Sequence, residues 1–129
     1  MNSENNTLVI LTPGFPGSEA DTTCLPMQQH LIRTLQANYP ALKIIVLSFQ
    51  YPYHTKKYTW FGIDVVPFSG RNKGGLQRLM RQKKIIKALK AIHQTNKITG
   101  LLSFWYGECA LVGKRFADKK DRRAFMSIE

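Results

Sequence analysis

The side chains best suited to chemistry fall in two short stretches. The first follows the apolar run Thr7-Leu8-Val9-Ile10-Leu11-Thr12 and reads Pro13-Gly14-Phe15-Pro16-Gly17-Ser18-Glu19-Ala20-Asp21. Gly14 and Gly17 let backbone approach a ligand closely or take φ angles closed to other residues. Glu19 and Asp21 are carboxylates that can act on an acceptor hydroxyl, although acids also suit the start of a helix. The second stretch is Ser103-Phe104-Trp105-Tyr106-Gly107-Glu108. Trp105 and Tyr106 offer flat apolar faces and Glu108 a hydrogen-bond acceptor, a combination that grips a sugar ring. Packing aromatics beside an acid that favours a helix N-terminus give the same pattern.

Neither stretch is a nucleotide fingerprint. Gly14-Phe15-Pro16-Gly17 does not fit GxGxxG, Pro16 removes an amide donor, and GxxxxGK[ST] is absent from the chain. His30, His54 and His93 have no partner at metal-ligand spacing, and Cys24 and Cys109 form no CxxC pair. No metal site is expected, and both cysteines are read as reduced thiols. An α/β-hydrolase would place a nucleophile elbow between a strand and a helix. Gly107-Glu108-Cys109-Ala110-Leu111 lacks the second glycine of that elbow, so Cys109 is read first as a small core residue. The aromatic segment Tyr51 to Phe61, with Lys56 and Lys57, has the ingredients for base stacking. No nucleic-acid module accompanies it, so no specific nucleic-acid partner is expected and the segment is read as a hydrophobic cap over a sheet.

The elements that must hold these residues alternate between strand and helix. Continuous apolar runs at Leu8 to Leu11, Lys43 to Phe49, Ile63 to Phe68 and Thr99 to Trp105 predict four strands. Pro67 puts the third at a sheet edge or ends it early. A helix to about Ala37 is predicted from Asp21, Thr22 or Thr23 as N-cap, Pro26 in its first turn, and Met27, Leu31 and Leu35 on one face. Ser69 to Gly75 reads as a flexible basic loop, with Leu76 to about Ile92 the clearest helix after it. At 100° per residue Leu79, Ile85, Ile86, Leu89 and Ile92 share a face, and Lys83, Lys84, Lys87 and Lys90 fall in an arc of roughly 120° elsewhere. Cys109, Val112 and Phe116 mark a last helix, with Ala110, Gly113 and Ala117 small enough for close packing. Continuous rather than alternating apolar strands predict a Rossmann-like α/β domain: a parallel sheet of about four strands flanked by helices.

Composition bounds the rest. The 129 residues suffice for one domain, with 19 Lys and Arg against 8 Asp and Glu and a formal net charge of +11. Such an excess attracts phosphorylated ligands, nucleic acid or anionic membrane. Residues 1–6 lack the charge and apolar core of a signal peptide, and no apolar run approaches the ~20 residues that span a bilayer. A cytoplasmic location is expected, with the Lys83, Lys84, Lys87 and Lys90 face, near Arg71, Lys73, Arg78 and Arg81, able to dock on the inner membrane face.

Three segments together resemble the N-terminal domain of glycosyltransferase family 4, the retaining enzymes of the GT-B fold. They are Leu8-Val9-Ile10-Leu11-Thr12-Pro13-Gly14-Phe15-Pro16 with its following helix, Tyr58-Thr59-Trp60-Phe61-Gly62-Ile63-Asp64-Val65, and Ser103-Phe104-Trp105-Tyr106-Gly107-Glu108-Cys109-Ala110-Leu111-Val112-Gly113-Lys114-Arg115. The similarity runs from about Leu8 to Ala117 and is closest to bacterial enzymes of surface-polysaccharide biosynthesis. The resemblance implies a sugar or lipid-linked glycan acceptor on this domain and a nucleotide-sugar donor on a C-terminal one, without metal. It implies that Gly14, Phe15, Gly17, Glu19, Asp21, Trp105, Tyr106 and Glu108 face the cleft. The catalytic residue stays open, because family members differ there. After Ala117 the likeness stops: residues 118–129 form a charged tail where further strands and a donor domain with paired glutamates would follow. The expectation is an acceptor-side fragment, one domain over residues 1–129, inactive in hexosyl transfer by itself. The alternatives are a non-catalytic basic α/β module that binds a polyanion or membrane, and an α/β-hydrolase-like remnant.

Overall fold

The computed structural model describes residues 6–71, 74–104, 108–119 and 125–128. The elements follow as β1 (Thr7–Gly14), α1 (Pro26–Asn38), β2 (Lys43–Tyr51), β3 (Tyr58–Trp60), β4 (Ile63–Pro67), α2 (Leu76–Thr95), β5 (Ile98–Phe104), α3 (Glu108–Lys119) and β6 (Phe125–Ile128). They build one sheet in the order β3-β4-β2-β1-β5-β6. All neighbours pair parallel except β3 with β4. The parallel strands, taken in chain order, therefore lie 3-2-1-4-5 across the sheet, the doubly wound arrangement of a Rossmann-like half.

The central strands are apolar on both faces because helices cover both. Val9, Leu11, Ile45, Leu47, Phe49 and Leu101 form one core with Ile85 and Leu89 of α2 and with Cys109, Val112 and Phe116 of α3. Ile10, Val46, Val65, Leu102 and Phe104 form the other, with Ile32 of α1 and with Phe15 and Trp60. Burying two or three such side chains from each strand contributes about 1.5–3 kcal/mol apiece, which fixes the registers. Cys109 thus lies in the core, where its packing was expected.

Several local expectations are corrected. The sheet has six strands rather than about four. Tyr58–Trp60 is not a cap over the sheet: it is the edge strand, pairing with Ile63 to Val65 of β4 and stopping short of Pro67. Pro67 still ends β4, as its missing N–H requires. The charged tail contains β6, which pairs parallel with β5 from Leu101↔Phe125 to Phe104↔Ile128, and α3 continues to Lys119. α1 starts at Pro26, behind a left-handed Leu25 (φ 52°), rather than from a cap at residues 21–23. Its buried residue is Ile32, with Leu31 and Leu35 packed beside it, and Met27 is 81% exposed. Likewise Leu79 lies outside the α2 core face. The loop over Ser69 to Gly75 is tied down at its start: the amides of Phe68, Gly70 and Arg71 donate to the carbonyls of Ser48, Phe49 and Gln50.

Candidate functional site

In open α/β sheets a ligand crevice opens at the carboxyl edge where the strand order reverses. Here that point lies between β1 and β5, which pair from Leu8↔Gly100 to Leu11↔Ser103. The loop from Gly14 to Leu25 leaves the carboxyl end of β1, and the β5–α3 connection leaves that of β5. The Gly14 to Leu25 loop and the end of β5, Ser103 and Phe104, therefore flank one switch point. Trp105 and Tyr106 lie outside the described residues, as does the side chain of Glu108, whose backbone opens α3.

Within the β1 loop the residues take distinct roles. Phe15 turns inward, 1% exposed, with its ring edge-on to Trp60 at 5.0 Å and its amide bonded to the Tyr51 carbonyl. It is a core residue, not a cleft-facing one: an aromatic ring at a strand end gains more from the core than from water. Neither Gly14 nor Gly17 has a positive φ, and a Cβ on either would meet ordinary van der Waals contacts. Unusual φ angles are therefore not what these glycines supply. Gly17 and Glu19 are exposed on the loop's outer side, and Asp21 is half-buried.

The two acids fix the loop. Asp21 Oδ1 accepts from the Thr23 amide (3.1 Å), the Thr23 hydroxyl (3.0 Å) and the Cys24 amide (3.1 Å), closing a turn ahead of α1. The hydrogen bonds from Thr23 hold its carboxyl below the usual 3.8, so it is ionised at neutral pH. That stabilised carboxylate is a weak general base, and its hydrogen bonds hold the turn ahead of α1. Burial, with the Asp21 charge adding to it, pushes the Cys24 thiol up, which keeps it protonated and unreactive. Glu19 Oε2 accepts from the Phe61 amide at 2.9 Å, at the β3–β4 turn. The Tyr58 hydroxyl, its pKa pushed up by burial, donates to the Pro16 carbonyl at 2.8 Å. The Gln36 amide holds the Phe61 carbonyl at 2.9 Å and Arg33 stacks on the Phe61 ring at 4.0 Å. The β3–β4 hairpin is thus a brace behind the β1 loop. Sequence periodicity gives no sign of it, because each contact spans some 25 to 42 residues.

The four lysines of α2 divide. Lys83, Lys87 and Lys90 line a groove with Leu79, Gln82, Ile86 and, from α3, Arg115. Lys84, 100° further round the helix than Lys83, lines a separate cavity with Phe68, Ser69, Gly70, Arg71, Gln77, Met80 and Arg81. The single arc drawn from the helical wheel spans two surfaces. Arg81, grouped with the exposed cations on sequence, is 7% exposed. A charged residue next to the apolar positions of a helix gives no local signal that it will be buried.

Among the described residues no group of three or more His, Cys, Asp or Glu is placed to hold a metal ion. No helix among them is long and apolar enough to cross a membrane. No protein-family model matches this sequence, and no curated protein matches it significantly.

Proposed function

We propose that the chain is the acceptor-side domain of a nucleotide-sugar-dependent glycosyltransferase, acting in glycan or polysaccharide assembly. The observation that carries the reading is the strand order. It brings the carboxyl end of β1, with the Gly14 to Asp21 loop, beside the carboxyl end of β5, which supports the acceptor site that the family resemblance implies. In this reading Gly14 and Gly17 keep the crevice wall low, and Asp21 and Glu19 hold the loop in shape. Trp105 and Tyr106 stack on the sugar, and Glu108 accepts from its hydroxyls. The nucleotide-sugar binds a second Rossmann-like unit, and transfer takes place between the two.

A binding panel of oligosaccharides and nucleotide-sugars tests this directly. The chain should retain saccharides and ignore nucleotide-sugars, and it should transfer no radiolabelled sugar when incubated alone with donor and glycan. Turnover by the 129-residue chain, or preference for the nucleotide, would overturn the assignment.

A second property is favoured by one surface. The Lys83, Lys87, Lys90 and Arg115 groove has Leu79 and Ile86 along it, and Leu79 and Leu111 are exposed. Cations around exposed aliphatic side chains suit an anionic membrane surface. Co-sedimentation with anionic vesicles should fall steeply from low to physiological salt, since the charges are screened over about 8 Å at 0.15 M. Salt-independent sedimentation would contradict peripheral electrostatic docking.

A further inference from the structure

The cavity at the end of β4 has a composition that the crevice reading leaves unused. It encloses about 290 Å³ between the Phe68–Arg71 segment and the outer face of α2. Three cations line it, Arg71, Arg81 and Lys84, together with the neutral donors Ser69 and Gln77, and among the described residues no acid does. Like charges gather at such density only where solvent or a bound anion disperses them. Arg71 is positioned by neutral partners: its guanidinium donates to the Tyr53 carbonyl at 3.3 Å and lies over the Tyr53 ring at 5.1 Å. Both contacts hold the group in place, and neither is with an acid. Arg81 is almost completely buried and forms the floor of the cavity beside it.

The backbone is arranged to bring these groups together. Gly70 has no room for a side chain: a Cβ there would collide with Gln50 Oε1 and come within 2.8 Å of both Arg81 Cδ and the Phe49 carbonyl. Its flanks, Ser69 (φ 52°) and Arg71 (φ 54°), are left-handed although neither is glycine. Strained conformations of this kind concentrate at ligand loops. The first turn of α2 contains no acid, and Gly75 ahead of it offers no side-chain cap. Neither the first turn nor the cap residue offsets the positive pole of this 20-residue helix.

We propose that this cavity binds a phosphoryl group, with Arg71 and Lys84 as its charged ligands and Ser69 and Gln77 as neutral ones. It opens on the carboxyl edge of the sheet, two strands from β1, which is about 10 Å at the usual strand spacing. Identifying the bound molecule as a phosphorylated acceptor rests on the glycosyltransferase proposal, whereas the phosphate site itself does not.

The test is a ¹⁵N NMR titration of the full chain with inorganic phosphate and with glycerol 3-phosphate at constant ionic strength. Alongside it, flotation is measured with phosphatidylglycerol and phosphatidylcholine vesicles. Saturable shifts are expected at the amides of Ser69, Gly70 and Arg71 and in the first turn of α2. Arg71→Gln with Lys84→Gln should weaken phosphate about tenfold or more, since charge-assisted hydrogen bonds are lost. The pair Lys57→Gln with Lys97→Gln removes the same charge elsewhere and should change binding less than about twofold. If the first pair also abolishes flotation with phosphatidylglycerol, the phosphoryl group is a lipid headgroup; if flotation is untouched, it belongs to a soluble ester. Absence of saturable shifts, or equal weakening by both pairs, overturns the site. No sugar or donor enters this measurement, so its failure leaves the acceptor-domain reading standing.

Discussion

Replacing Gly70 with alanine probes the tightest packing in the β4–α2 loop. The new Cβ meets two side chains, Gln50 and Arg81, and one backbone atom, the Phe49 carbonyl oxygen. The side chains can give way, but the carbonyl already accepts the Gly70 amide at 2.8 Å and moves only if that bond lengthens. Overpacking of this kind costs about 1–3 kcal/mol, and the fixed carbonyl places the substitution near the middle of the range, at about 2 kcal/mol. Unfolding entropy scales at about 2.1 cal/mol/K per residue, or about 0.27 kcal/mol/K for a chain of this length, so the melting temperature should fall by about 7 °C. Calorimetry of two further alanine variants isolates the cause. Gly74 has no neighbour within 4 Å and no positive φ, so Gly74→Ala should shift the melting temperature by less than about 2 °C. Gly75 has open space but a φ of +66°, so Gly75→Ala should destabilise by about 1–2 kcal/mol through the backbone alone. If Gly70→Ala melts with the native chain, the close approach of the loop to β2 and Arg81 is wrong.

Tyr58→Phe removes the hydroxyl bonded to the Pro16 carbonyl; urea denaturation should show a loss of about 1 kcal/mol, and amide exchange in residues 15–24 should quicken. Because hydrogen bonds hold the Asp21 carboxyl below its ordinary 3.8, its contribution is present above that pH and is lost as pH falls through the lowered value. Asp21→Asn should therefore be less stable than the native chain at pH 6, with the difference shrinking as the pH falls below the ordinary carboxylate value of 3.8; a constant difference across that range argues against the charge as cause. Cys24 is raised above 9.0 by burial and by Asp21, so iodoacetamide at pH 8 should modify it more slowly than a free thiol, and Asp21→Asn should speed the reaction. Leu89→Ala, at a fully buried position between α2 and the sheet, should cost about 2–5 kcal/mol by chemical denaturation.

The parts of the fold written in local pattern were legible in the sequence. Continuous apolar runs such as Lys43 to Phe49 announce strands buried on both faces, and the Ile85–Leu89 spacing announces the core face of α2. What local pattern does not contain is pairing. β3 is three residues long and β6 four, and such segments become strands because β4 and β5 present free edges to them. The site divides along the same line. The two stretches flanking the β1–β5 switch point stood out by residue type, whereas the inward turn of Phe15 depends on Trp60, forty-five positions on, which gives it a partner at 5.0 Å. The cationic cavity was hidden for a related reason: Arg81 looks like a surface charge, and Arg71 lies far from it in sequence, until Gly70 folds the loop onto β2.

The central claim is that the β1–β5 crevice receives a saccharide. An amide-resolved titration of the chain with acceptor-type oligosaccharides tests it most directly. The account predicts saturable shifts in the loop from Gly14 to Cys24 and at the start of α3, with Lys43 and Ile98 at the opposite edge of the sheet unmoved, and no comparable response to nucleotide-sugars. Shifts confined to the opposite edge, or a nucleotide-sugar that perturbs the Gly14 loop more strongly than any saccharide, would contradict it.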